Sequence, residues 1–133
     1  MKEKTIRKIS IILILLVTVQ ILSSAKTIKV GLSFFQVRGI QRQKEYSYFL
    51  SASKKKNIDL KQLDAGGDVQ RQKEQIDSLI NSGIDCLIYL AYDDVLIPVL
   101  EEARKKGIKL IRYDYYVDYL PSDLIVTIRS EGR

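Results

Sequence analysis

In the segment "GIKLIRYDYYVD" an apolar run, Ile108 to Ile111, gives way to Arg112, Tyr113 and Asp114, with Tyr115 and Tyr116 following directly. A carboxylate among tyrosines combines hydrogen-bond acceptors with flat apolar faces, which is chemistry suited to recognition. Two roles are open to Asp114: a loop acid that turns the chain, or a ligand contact at the end of a strand. Catalysis has little to draw on. The sequence has no histidine, which removes the commonest general base and the commonest metal ligand. Cys86 is the single cysteine, so no internal disulfide forms, and its setting in "DCLIYLA" reads as a buried thiol rather than a nucleophile. No catalytic residue, metal-ligand set or cofactor is expected.

The glycine-containing loops support the same exclusion. "FFQVRG" has neither the G-x-G-x-x-G of dinucleotide sites nor the glycine–lysine loop of nucleotide hydrolases. "DAGGD" lacks cradle spacing and reads as a tight turn feeding a helix cap. A phosphoacceptor domain would need an acidic pair after the first strand, where Phe34 and Phe35 stand.

The elements that must position these residues alternate in period. "TIKVGLSF" is short, apolar and rich in β-branched residues, as a strand should be. "QRQKEYSYFLSASKKKN" places Tyr46, Phe49, Leu50 and Ala52 at helical spacing before a solvated lysine end. "IDLKQLDA" alternates and predicts an edge strand. Asp68 is placed to cap a helix with Val69, Ile76, Leu79 and Ile80 on one face, stopped by Gly83. "CLIYLA" is apolar without alternation, the pattern of a central parallel strand. Asp93 or Asp94 caps a third helix bearing Leu96, Val99, Leu100 and Ala103, with Pro98 in its opening turn and Gly107 at its end. "IKLIRYD" and "DLIVTIR" predict a fourth and a fifth strand, with Pro121 in the loop between.

This alternation predicts an α/β fold: a doubly wound parallel sheet of strand order 2-1-3-4-5, with ligands beyond the carboxyl ends of the strands. Phe34 and Phe35, Asp64, Tyr92 and Asp93, and Asp114 all fall at such ends.

Residues 1–25 stand apart. Lys2, Lys4, Arg7 and Lys8 precede the apolar stretch Ile9–Leu22, and "SSA" then offers small residues for cleavage. The stretch is short against the roughly 20 residues of a membrane-spanning helix. The segment therefore reads as an export signal peptide, with a retained membrane anchor through residues 9–22 as the alternative. The mature chain is expected to begin at Lys26, outside the cytoplasm. The whole sequence carries 22 basic and 16 acidic residues, but residues 1–25 hold four of the former and one of the latter, leaving a net charge of +3 on 26–133. With no basic stripe interleaved with aromatics, no nucleic-acid partner is expected.

From "LDAGGDVQRQKEQIDSLINSGIDCLIYLAYDD" through "VLEEARKKGIKLIRYD" the chain resembles the first lobe of the periplasmic sugar-binding proteins of the ribose-, galactose- and especially xylose-binding type. The elements that carry the likeness are Asp64, the Gly67–Asp68 turn, Gln72, Ile76, "LINSGID", Ala103, "GIKLI" and Asp114. The resemblance implies a two-lobed clamp that closes on a monosaccharide, outside the membrane, as a component of an ABC-type uptake system. Its implied partners are the sugar and a membrane permease, or a membrane sensor kinase if the chain serves sensing. Residues 26–133 would form the N-terminal lobe alone, apparently truncated.

The resemblance also implies site residues. At the end of the fourth strand such proteins pair an aspartate with an arginine on the sugar hydroxyls, a carboxylate accepting and a guanidinium fork donating. Asp114 fits the first position, while Tyr115 stands at the second. Aromatics after the first strand cover the apolar face of the ring, which points to Phe35. Xylose-binding relatives add an arginine beside a tryptophan in that loop. This sequence offers Arg38 and Arg42 without the tryptophan, and has Arg129–Ser130 where an Asp-Asn pair is common. The expected ligand contacts are therefore Asp114, Tyr115, Phe35, Arg42 and Arg38.

Overall fold

The computed structural model describes residues 26–113 and 119–126. Five strands, β1 (Ile28–Phe34), β2 (Ile58–Asp64), β3 (Cys86–Leu90), β4 (Lys109–Tyr113) and β5 (Leu124–Val126), form one parallel sheet in the order β2-β1-β3-β4-β5. The helices are α1 (Gly39–Lys55), α2 (Val69–Asn81) and α3 (Ile97–Lys105), the last preceded by a 3-10 turn over Asp94–Leu96. The expected order is thus the observed one, and β2 lies at an edge as its alternation required.

The pleat divides the core in two. Leu32, Phe34, Leu90 and Tyr113 point to the side covered by α1, where Tyr46 and Phe49 pack on them. The intervening positions Leu87, Tyr89 and Leu110 point the other way, into a larger cluster with Ile76, Leu79 and Ile80 of α2 and Val99, Leu100 and Ala103 of α3. At Gly31 this second side comes so close that a Cβ would stand 3.0 Å from both Leu79 Cδ1 and Ile84 Cδ1. Only a residue without a side chain lets α2 lie this close to β1.

The helix signals act as the chain composition requires. Asp68 accepts from the backbone of Gln70 and Arg71, and Gly83, at φ +74°, follows the end of α2. Of the two acids before α3, Asp93 is the cap; its carboxylate accepts from Val95 N at 2.9 Å and opens the 3-10 turn. Two expectations are corrected. Leu50 does not share the buried face of α1: Tyr46, Phe49 and Ser53 turn to the sheet and leave it 43 % exposed. Cys86 is half-buried rather than buried, because it starts β3 at the amino edge. Burial, then Asp123 and Asp85, push its thiol up, so it stays protonated.

Candidate functional site

The strand ends are in register: Phe34 is opposite Asp64 on one side and Leu90 on the other, while Tyr89 is opposite Arg112. The residues that follow are therefore delivered to one edge. There the backbone is stitched from loop to loop. Phe35 N donates to Leu90 O at 2.9 Å, Ala65 N to Phe34 O at 3.0 Å, and Gly67 N to Phe35 O at 2.8 Å. Gly67 has φ +88°, a backbone conformation that favours glycine, and the side-chain amide of Gln36 lies against it, 3.2 Å from where a Cβ would be.

Side chains complete the frame. Asp64 Oδ1 accepts from Val37 N at 3.1 Å and Gly66 N at 2.9 Å, joining the loops after β1 and β2. The buried Gln72 reaches from α2 to the ends of β1 and β3, where its Nε2 donates to Leu90 O at 2.9 Å and to Ser33 Oγ at 3.2 Å. Asp64, through Oδ1, and Gln72 thus hold the edge.

On this frame stands an aromatic pair. The rings of Phe35 and Tyr92 meet edge to face, 5.8 Å between centroids and 87° between planes. Tyr119 reaches back to the same place, its hydroxyl donating to Tyr92 O at 3.0 Å. Phe35 is half-buried, and Tyr92 and Tyr119 are exposed, so the group presents apolar ring surface to solvent. Such a surface can cover the C–H face of a small polyol and hydrogen-bond at its rim.

Arg38 is exposed at the N-cap position of α1, and Gly39, at φ +82°, begins the helix. Arg42, in the first turn, has its Nη1 2.7 Å from Glu45 Oε2 in a largely buried ion pair. Its guanidinium is therefore held along α1, and that pair would have to open or share for Arg42 to bind a ligand. Asp114 and Tyr115 follow Tyr113, the last residue of β4, and lie outside the described residues. The same holds for residues 1–25 and for Arg129 and Ser130. Among the described residues no cluster of metal-ligating side chains occurs, and no helix is long and apolar enough to cross a membrane.

The pairing of Tyr92 with Phe35, and the bond from Tyr119 to Tyr92 O, are what reading the sequence missed. The position of Tyr92 at a strand end was visible, but not its ring partner 57 positions earlier in the chain.

A parallel sheet ordered 2-1-3-4-5, wrapped on both faces and finished by a framed aromatic edge, defines a binding lobe of the α/β class. The periplasmic binding protein domain model matches residues 42–128, and the chain belongs to that family, whose members bind solutes and are not enzymes. It is 32 % identical over 108 residues to the D-xylose-binding periplasmic protein of Haemophilus influenzae, a match covering 80 % of this chain and 32 % of that protein. Its counterpart from Escherichia coli is 30 % identical over 129 residues, covering 93 % of this chain and 39 % of the relative. The fold also superimposes on an ABC transporter solute-binding protein from Clostridium phytofermentans with bound β-D-glucose. The TM-score is 0.65 at 28 % identity, over 73 % of this chain and 30 % of that one. The chain thus spans about a third of the length of these relatives.

Proposed function

We propose that this chain supplies one lobe of an extracytoplasmic monosaccharide receptor of the xylose-binding type, feeding an ABC permease. The observation that carries the reading is the Phe35–Tyr92 pair at the carboxyl edge, held by backbone bonds between loops that are distant in sequence. The likeness to two D-xylose-binding proteins supports a pentose, and the glucose-bound structure supports a monosaccharide more broadly. In this reading Phe35 and Tyr92 cover the apolar face of the sugar. Asp114 accepts from its hydroxyls, and Tyr115 and Arg38 donate at the rim. Arg42 joins only if its pair with Glu45 rearranges. The segment 1–25 acts as the export signal. The sugar-binding and ABC-transporter relatives support a permease rather than a membrane sensor as the partner.

A single lobe leaves one side of the sugar in water, whereas good small-molecule sites bury most of the ligand. Affinity of the chain alone is therefore expected near millimolar, on the order of 4 kcal/mol. Titration calorimetry with xylose, ribose and galactose tests this on the chain and on Asp114→Ala and Tyr92→Ala. Xylose binding weakened in both variants is the expected result. No heat with any sugar at concentrations well above millimolar, or binding indifferent to both substitutions, would remove the site from this edge.

A further inference from the structure

Gln36 stands at the carboxyl edge, directly after Phe35. Its neighbours in the chain are held from three directions. Phe35 N donates to Leu90 O at the end of β3, Phe35 O accepts from Gly67 N in the turn after β2, and Val37 N donates to Asp64 Oδ1. The backbone on both sides of Gln36 is thus fixed, and with it the direction in which its side chain leaves.

That side chain lies over Gly67, with Nε2 3.2 Å and Oε1 3.8 Å from where a Cβ of that residue would stand. Because β1 lies between β2 and β3, the turn after β2 and the loop after β3 flank Phe35 on opposite sides. The Gln36 amide, over the first, and the Tyr92 ring, from the second, therefore stand to either side of Phe35.

Other amides near this edge are engaged in the frame. Gln72 gives its Nε2 to Leu90 O and Ser33 Oγ, and Gln75 gives its Nε2 to Asp64 O at 3.0 Å. The amide of Gln36 makes no hydrogen bond among the described residues, and the side chain is half-buried with its polar atoms open to solvent. A frame role would show as a bond to the main chain, as it does for Gln72 and Gln75. What stands here instead is an amide held beside the aromatic pair with its hydrogen-bonding capacity free.

An amide offers an acceptor oxygen and two donor hydrogens side by side, and it is neutral at every physiological pH. A sugar hydroxyl both donates and accepts, so an amide can meet one hydroxyl in either sense or two neighbouring hydroxyls at once. A carboxylate only accepts, and Asp64 already has Oδ1 taken by two backbone N–H groups. A few placed polar groups around apolar surface are what fix a small ligand's orientation.

We propose that Gln36 is a specificity-determining residue of this edge, its amide hydrogen-bonding hydroxyls of a neutral sugar whose apolar face lies on Phe35 and Tyr92. The proposal rests on the monosaccharide site proposed for the carboxyl edge. It adds what that site reads: hydroxyl positions on the β2 side of the ring, through a group indifferent to pH.

Nitrogen-15 NMR of the purified chain during a xylose titration tests it. The side-chain N–H peaks of Gln36 are identified by their absence from Gln36→Leu, and they should move with the same saturation curve as the backbone peaks of Phe35 and Tyr92. Gln36→Leu keeps a similar volume and should weaken xylose binding about threefold to tenfold, the range of one net hydrogen bond, with circular dichroism showing that it is folded. The monodeoxy analogues of xylose then locate the contact. At least one should bind the unaltered chain less tightly than xylose by about the same factor. It should bind Gln36→Leu as tightly as xylose does, because the partner of the missing hydroxyl is already gone. Shifts at Phe35 and Tyr92 with the Gln36 side-chain peaks unmoved would overturn the proposal and leave the sugar site standing. So would analogues that each lose the same factor against both proteins. No xylose-dependent shift at Phe35 or Tyr92 would overturn the site itself, and the proposal with it.

Discussion

Replacing Gln72 with leucine tests how the framed edge is held. Gln72 is fully buried, and its Nε2 supplies two hydrogen bonds, to Leu90 O and to Ser33 Oγ. Leucine fills a similar volume and removes both, at about 1 kcal/mol net each. Leu90 O keeps Phe35 N as a donor at 2.9 Å and stays satisfied. Ser33 is fully buried and loses its bond from Gln72, which adds about 1–3 kcal/mol. Against this, the substitution also removes Gln72 Oε1, which is buried without a partner among the described residues, returning about 1 kcal/mol. The expected net loss is about 2–4 kcal/mol. Urea unfolding should show it as a midpoint lowered by about 1–2 M, given slopes of about 1–3 kcal/mol/M for small domains. Adding Ser33→Ala removes the stranded hydroxyl, so the double variant should be more stable than Gln72→Leu alone. A loss under about 0.5 kcal/mol, or a double variant less stable than the single one, would refute the assigned role of this amide.

Two further outcomes follow from other parts of the fold. Asp68→Ala strips two backbone N–H groups at the start of α2 of their acceptor and should cost about 1 kcal/mol, read by thermal or urea unfolding, with Asp68→Asn retaining most of the stability. Tyr89 is buried, which pushes its phenol up to about 12 against an ordinary 10.0. The unfolded chain then releases this proton before the folded one, so stability is intact below pH 10 and falls as pH rises from about 10 to 12, by on the order of 2 kcal/mol. Unfolding followed across that range should show the decline, and Tyr89→Phe should lack this component of it while losing the bond to Pro121 O.

The sequence by itself determined the alternation of strand and helix, the caps at Asp68 and before α3, the helix stops and the edge character of β2. These are local properties: a side-chain period, a short acceptor ahead of free N–H groups, a glycine able to take positive φ. Parallel strands need crossovers of one hand, so the carboxyl edge, and the presence of Phe35 and Tyr92 near it, could be inferred as well. Tertiary structure alone decided what meets what along that edge. The pairing of Phe35 with Tyr92 depends on the register of β1 against β3, and the reach of Gln72 to Leu90 O depends on how closely α2 settles over Gly31. Arg42 looked available in the sequence, although its pair with Glu45, three residues on, is a local contact that helical spacing already permitted. The outward turn of Leu50, by contrast, was hidden. The apolar residues of α1 are spread around the helix, and only contact with Phe34 and Tyr113 selects Phe49, together with Tyr46 against Phe34, as the inner face. Contacts between residues far apart in the chain are set by register and packing distance, which no local pattern of residue types encodes.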